Sequence, residues 1–224
     1  MKNIGITQRV IFDQKTGERR DMLDQRWLDF AQILGLRLVP VPNRVNHPED
    51  YVEALNIQGL ILSGGNNVGY HNKELMKDYK ALEEQDIAPE RENTEASLLQ
   101  WVLNQSKPVV GVCHGFELMN VFFNGHLVSV DPDIHVAKEH NVEIQGDKWQ
   151  MLYGSSMVVN SYHNVGITSD SLAKELEPFA FFENKEIEAA THREQPLVGI
   201  MWHPERYATF REEDLELFKL FFNP

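Results

Sequence analysis

Short β-branched or apolar runs alternate with amphipathic stretches through the first half of this chain. Ile4–Thr7 precedes Met22–Leu34, Leu36–Val41 precedes Glu49–Leu55, Leu60–Leu62 follows, and Val109–Val112 runs into Phe116–Phe123. That alternation predicts βαβ units, because parallel neighbours need a crossover and the crossover helix buries its apolar stripe on the sheet. Gly35 stands where the first helix should stop, and Gly59 and Pro108 sit just before strands. The second half reads differently. Val142–Ile144, Met157–Asn160, Ala180–Glu183, Ile187–Thr191 and Leu197–Met201 are short strand-like runs separated by turns, and a helix over Arg211–Phe222 closes the chain. The expectation is an α/β fold, an open and mostly parallel sheet flanked by helices with an antiparallel extension. No repeat, linker or low-complexity tract divides the chain, so residues 1–224 are read as one domain. Ligands of such sheets bind beyond the C-terminal strand ends, which directs attention to the residues after Thr7, Leu62, Val112 and Met201.

Charge narrows the partners. Twenty-one Lys and Arg against 34 Asp and Glu leave a net −13, which argues against a nucleic-acid polymer or an anionic membrane, since both need a basic surface. The first residues, MKNIGITQRVIFDQ, lack the apolar core of a signal peptide, and no apolar run approaches the roughly 18 residues of a membrane span. A soluble, cytoplasmic protein is expected. Between Glu74 and Glu95, 8 acidic residues face 3 basic ones, and this stretch reads as a solvated helical face. There is one cysteine, Cys113. It cannot form an intrachain disulfide or a thiolate zinc cluster, so it is either a packed side chain or a nucleophile.

Val109-Val110-Gly111-Val112-Cys113-His114-Gly115-Phe116 is an apolar strand running through Gly-x-Cys-x-Gly into a helix. Glycines two before and two after permit a sharp, crowded turn that presents the side chain, and the following helix aims free N–H groups at the same point. The positive helix end is expected to favour a thiolate there. Alone, the pattern is equally that of a small buried hydrophobe between two packing glycines. Ninety residues on, Leu197–Met201 leads into Trp202-His203-Pro204-Glu205. Pro204 bars a helix and keeps the segment extended, so residues two apart point the same way and Glu205 can orient His203. If the two strands are neighbours, Cys113, His203 and Glu205 form a triad of nucleophile, general base and orienting carboxylate.

Gly-Val-Cys-His-Gly together with Trp-His-Pro-Glu resembles the class I glutamine amidotransferase superfamily, and the likeness extends along the whole chain. Ile61-Leu62-Ser63-Gly64-Gly65 resembles the family's glycine turn, which implies an oxyanion hole from the backbone N–H groups of Gly65 and His114. Ala88-Pro89-Glu90-Arg91-Glu92-Asn93-Thr94-Glu95, Val159-Asn160-Ser161-Tyr162-His163 and the run Phe182–Ala189 are similar to the free-standing gamma-glutamyl hydrolase branch. The resemblance implies hydrolysis of a gamma-glutamyl amide through a thioester on Cys113, with a small-molecule substrate, no cofactor, no metal and no synthase partner required. It assigns Ser161 and Tyr162 to the glutamyl head. A glutaminase subunit feeding ammonia to a separate synthase, a hydrolase of gamma-glutamyl-aminobutyrate-type amides, and a binding protein that has lost the reaction are the competing readings.

Two positions depart from the family pattern. Glu117 stands where Gln usually contacts the glutamyl head, and is expected to meet the substrate ammonium instead; Asn164 and Val165 replace the usual His-Gln. His126, His135, Lys138 and His140 do not follow His-x-x-Glu-His spacing and read as loop histidines or as residues facing the leaving group, with zinc disfavoured. Residues 1–26 carry 6 basic against 4 acidic side chains, either scattered solvated charges or a cationic edge for phosphate. Gly5–Asp13 and Arg19–Trp27 resemble gamma-glutamyl-CDP-amidate hydrolases of capsular phosphoramidate assembly. That likeness implies a nucleotide-linked leaving group and nominates Arg19 and Arg20 as its contacts.

Overall fold

The structure is a computed structural model that describes residues 1–69, 86–183 and 185–222. In chain order the strands are β1 (Asn3–Ile6), β2 (Arg9–Asp13), β3 (Glu18–Met22), β4 (Arg37–Pro40), β5 (Leu60–Leu62), β6 (Val109–Val112), β7 (Val128–Ser129), β8 (Val136–Ile144), β9 (Ser156–Tyr162), β10 (Val165–Gly166), β11 (Leu176–Phe182), β12 (Glu186–His192) and β13 (Leu197–Ile200). The helices are α1 (Arg26–Ile33), α2 (Pro48–Ala54), α3 (Pro89–Gln105), α4 (His114–Phe122), α5 (Pro132–His135), α6 (Asp147–Tyr153) and α7 (Glu212–Phe222). Nine strands form one sheet in the order β4-β1-β5-β6-β13-β12-β11-β8-β9. The pairs from β4 to β13 are parallel and those from β13 to β9 antiparallel. The α/β sheet with an antiparallel extension is thus as the sequence predicts.

Apolar side chains from both faces make the core. On one face Trp27 and Phe30 of α1 meet Phe218 of α7, with the rings of Phe30 and Phe218 4.8 Å apart. On the other, Leu98, Leu99 and Val102 of α3 pack with Phe116 and Met119 of α4. Each such side chain is worth roughly 1.5–3 kcal/mol of burial. No helix among the described residues is long and apolar enough to cross a membrane.

Two local expectations change. The segment after the first strand is a hairpin of β2 and β3 that runs to Met22, where the first amphipathic stretch was expected to begin. Its turn is closed by Asp13, whose Oδ1 accepts from the N–H of Lys15 at 2.9 Å, an Asx turn that apolar periodicity does not reveal. The acidic stretch also differs. Its residues 74–85 lie outside the described residues, but Glu92 and Glu95 are buried on α3 beside a fully buried Arg91, so this helical face points inward. Pairing across the fold, invisible to a charge count, pulls these groups in.

Candidate active site

Parallel pairing sets the ends of β5, β6 and β13 side by side. Leu62 is in register with Gly111, and Val112 with Ile200. The three segments that leave them are Ser63-Gly64-Gly65, Cys113 and Met201-Trp202-His203, so the sheet gathers residues up to 140 positions apart. Cys113 has φ 50° and ψ −107°, a positive φ for a non-glycine residue, a conformation that costs on the order of 1–3 kcal/mol. Gly115 permits it, for a Cβ there would collide with the carbonyl oxygen of Leu62. Helix α4 therefore starts hard against β5, and the thiol stands at its N-terminus.

His203 is held by side chain and backbone together. Its Nδ1 donates to Glu205 Oε1 at 2.8 Å, which leaves Nε2 as the basic nitrogen. Asn160 of β9 clamps the backbone of the same residue: its Oδ1 accepts from the His203 N–H at 2.8 Å and its Nδ2 donates to the His203 carbonyl at 2.9 Å. Gly64 lies under the ring, and a Cβ there would strike His203 Cε1. The ring of Tyr162 meets the imidazole edge-on at 5.5 Å and is itself covered by Arg206, 4.2 Å above it.

The Ser63–Gly65 turn is fixed from behind by Arg91. Its guanidinium donates to the carbonyls of Ser63, Gly64 and Gly65, and its Nε to Glu95 Oε1 at 3.0 Å. Glu95 Oε2 in turn meets His114 Nε2 at 2.9 Å, and His114 Nδ1 donates to the Asn66 carbonyl at 3.0 Å. Burial opposes ionisation of Glu95, but Arg91 and His114 outweigh it and lower its carboxyl to about 2. In a trans peptide the C=O of one residue and the N–H of the next point opposite ways. With three carbonyls turned onto Arg91, the N–H groups of Gly64, Gly65 and Asn66 turn away from it, and none of them has an acceptor among the described residues. Free N–H groups beside a nucleophile are suited to a developing oxyanion.

A cavity of about 250 Å³ opens here, lined by Cys113, His203, Gly65, Glu117, Tyr162 and His163, with Arg9 and Arg206 among its remaining walls. Of the residues singled out from sequence, Cys113, His203, Glu205, Gly65, His114, Glu117 and Tyr162 thus come together. Ser161 is fully buried, its Oγ 3.4 Å from His135 Nδ1, and does not line the cavity. Arg19 pairs with Glu90 at 2.5 Å, and Arg20 pairs with Glu18 and Asp13 along the hairpin. The cations on the wall are instead Arg9, 3.2 Å from Asp86, and Arg206, 3.7 Å from Glu205. Arg206 follows His-Pro-Glu directly, and that adjacency was the available signal; Arg91 and Asn160 lie in recognised motifs, but their roles depend on contacts 27 and 43 residues away.

Electrostatics correct one expectation. Burial, then the Glu117 carboxylate, push the Cys113 thiol well up, against the lowering effects of the His114 N–H and Arg206. Burial therefore favours the neutral thiol, and the helix end alone does not make it a thiolate. Burial raises Glu117 to about 7. This arrangement can deliver a sulfur nucleophile, a base fixed in one tautomer and a pair of oxyanion donors to one carbonyl.

Known proteins resemble this chain in sequence and in fold. Residues 3–205 match the family model of peptidase C26. A gamma-glutamyl-CDP-amidate hydrolase of Campylobacter jejuni is 28% identical over 204 residues, covering 91% of this chain and 90% of that protein. A putative glutamine amidotransferase of Schizosaccharomyces pombe is 28% identical over 180 residues, covering 75% of this chain and 70% of that one. The glutaminase domain of Trypanosoma brucei CTPS, solved with bound acivicin, superposes with a TM-score of 0.68 at 14% identity over 98% of this chain and 93% of that domain, a likeness of fold.

Proposed function

The chain belongs to the peptidase C26 family, and from that premise we propose that it is a cysteine hydrolase of gamma-glutamyl amide bonds. The observation that carries the reading is the convergence of Cys113, the His203–Glu205 pair and the Ser63–Gly65 turn on one cavity at three adjacent strand ends. His203 Nε2 takes the Cys113 proton as the sulfur attacks the gamma carbonyl. The oxyanion is held by the N–H groups of Gly65 and His114, and His203 returns the proton to the leaving nitrogen, so a gamma-glutamyl thioester and a free amine result. Water, deprotonated by His203, then cleaves the thioester to glutamate and restores the thiol. Glu117 faces the substrate ammonium, and Tyr162 shields the imidazole from solvent.

The preferred substrate is gamma-glutamyl-CDP-amidate, giving glutamate and cytidine diphosphoramidate for capsular polysaccharide modification. Its support is the similarity to the Campylobacter enzyme over 91% of this chain and the presence of Arg9 and Arg206 on the cavity wall, since guanidinium groups suit phosphate oxygens. A second reading, glutamine hydrolysis with ammonia passed to a separate synthase, uses the same thioester and is favoured by the similarity to the fission-yeast glutamine amidotransferase. A release assay on the isolated chain with glutamine, gamma-glutamyl-aminobutyrate, folyl-polyglutamate and gamma-glutamyl-CDP-amidate decides. Preference for the nucleotide substrate supports the first reading; weak glutaminase activity that rises on adding a synthase replaces it with the second; no turnover of any gamma-glutamyl amide overturns both.

A further inference from the structure

Histidines and carboxylates from separate elements converge beside the cavity, with His163 on its wall, and the hydrolysis proposed above makes no use of them. His135 ends α5, His140 lies in β8, His163 follows β9, and Glu188 lies in β12. One donor atom each from His135, His140 and Glu188 lie within 4.8 Å of one another, and His163 Nε2 approaches Glu188 Oε1 to 3.7 Å. All four residues are at least nine-tenths buried: exposure is 0% for His135, 8% for His140, 5% for His163 and 1% for Glu188. Glu186 closes the rim, its Oε2 2.8 Å from His135 Nε2 without hydrogen-bond alignment.

Hydrogen bonding leaves this cluster unsatisfied. Both oxygens of Glu188, both ring nitrogens of His140, and Nε2 of His135 and of His163 have no hydrogen-bond partner, whereas buried polar groups are almost always paired. Charge-assisted bonds between imidazole and carboxylate run to about 2.7–2.9 Å. Glu188 Oε1 instead stands 3.4 Å from His140 Nε2 and 3.7 Å from His163 Nε2. Donor atoms that share a tetrahedral ion at about 2.0–2.1 Å are roughly 3.3–3.5 Å apart, so the spacing suits co-ligands better than a direct hydrogen bond. His163 is also oriented as a ligand would be: its Nδ1 donates to the Val165 carbonyl at 2.8 Å, which turns a bare Nε2 toward Glu188.

We propose that His135, His140, His163 and Glu188 bind one divalent transition-metal ion of the zinc class. Three imidazoles and one carboxylate suit such an ion over calcium or magnesium, which prefer oxygen. Four protein ligands fill a tetrahedron, so the site is closed and structural and leaves no position for a reacting water. The ion ties β8, β9 and β12 together and thereby steadies the Asn160–His163 segment whose first residue clamps His203. The sequence hid the site because His163 and Glu188 lie 23 and 48 residues past His140, outside any short ligand motif.

The test uses the full chain carrying Cys113→Ala, so that the thiol cannot compete for metal. The metal-free protein is titrated with zinc chloride against a chromogenic chelator, and with cobalt chloride by visible absorption. Expected are one equivalent per chain, the intense ligand-field bands of tetrahedral cobalt, a Tm raised by saturating zinc, and affinity weaker by roughly 10–100-fold or more in His140→Ala and Glu188→Gln. Binding that survives both substitutions is adventitious and overturns the proposal. Should either substitution unfold the chain, the cobalt spectrum of the intact ligand set decides alone: no tetrahedral bands and an unchanged Tm mean that protons alone occupy the cluster, and the proposal fails.

Discussion

The backbone N–H of Cys113 donates to the carbonyl of Ile200 at 2.8 Å, so the residue that follows β6 is sewn to the strand that delivers His203 three positions later. The proposed nucleophile and base are therefore positioned by hydrogen bonds of the sheet and not by a flexible loop. Cys113→Ala should leave the fold intact and lower kcat at least roughly 10³-fold, and Glu205→Gln should cost roughly 10²–10⁴-fold by freeing the imidazole tautomer. Thermal melts beside steady-state kinetics check this, and residual turnover above a tenth of wild type in Cys113→Ala would remove the residue from the mechanism.

Arg91 holds the Ser63–Gly65 turn, the proposed oxyanion turn, without lining the cavity. Arg91→Lys keeps the charge beside Glu95 but loses the planar fork that holds three carbonyls. The expected result is a lower kcat at nearly unchanged KM, with a modest fall in Tm. Arg91→Ala leaves Glu95 buried with one partner fewer and should cost about 3–5 kcal/mol of stability. If Arg91→Lys changes KM alone, the turn does not depend on it.

Gly64 is the position where the turn and the imidazole touch. Gly64→Ala pushes His203 off its place, so kcat should fall by roughly 10²-fold, the scale of an ångström-sized misplacement. Urea denaturation should show a much smaller proportional loss of stability. Wild-type kcat in this variant would mean that the ring does not hold its resting position during turnover.

Glu117 should make both stability and activity depend on pH. Burial raises its carboxyl from an ordinary 4.5 to about 7. Between those values the folded chain keeps a proton that the unfolded chain has released, so this group's contribution to stability is whole below about pH 4.5 and falls as pH rises towards 7. Glu117→Gln should therefore gain more stability over wild type at pH 8 than at pH 4, by on the order of 3 kcal/mol. For a substrate bearing an ammonium, kcat/KM should rise through pH 7 in wild type and lose that limb in Glu117→Gln. Parallel pH profiles for the two proteins would show that another group sets the limb.

Arg9 and Arg206 line the cavity, whereas Arg19 and Arg20 are engaged with carboxylates along the hairpin. Arg9→Ala and Arg206→Ala should each raise KM for a phosphorylated gamma-glutamyl substrate by about tenfold or more and change KM for glutamine less, because charge-assisted hydrogen bonds to phosphate are worth roughly 1.5–3 kcal/mol. Arg19→Ala and Arg20→Ala should leave both nearly unchanged. A larger effect at Arg19 or Arg20 would return the phosphate contact to the hairpin.

What the sequence determined by itself was local or repetitive. Strand-helix alternation specified the sheet, and Gly-x-Cys-x-Gly after an apolar strand specified the strained turn at Cys113, because backbone sterics act over a few residues and leave a pattern in adjacent letters. Glu205 beside His203 was legible for the same reason. Tertiary structure alone decided which charges face the cavity, why acidic residues of α3 are buried, and that His140 and His163 meet Glu188. Those outcomes depend on pairs such as Arg91 with Ser63 and His163 with Glu188, 28 and 25 residues apart. A charged side chain settles where desolvation is repaid by a partner, and only the folded sheet determines which partner is within reach.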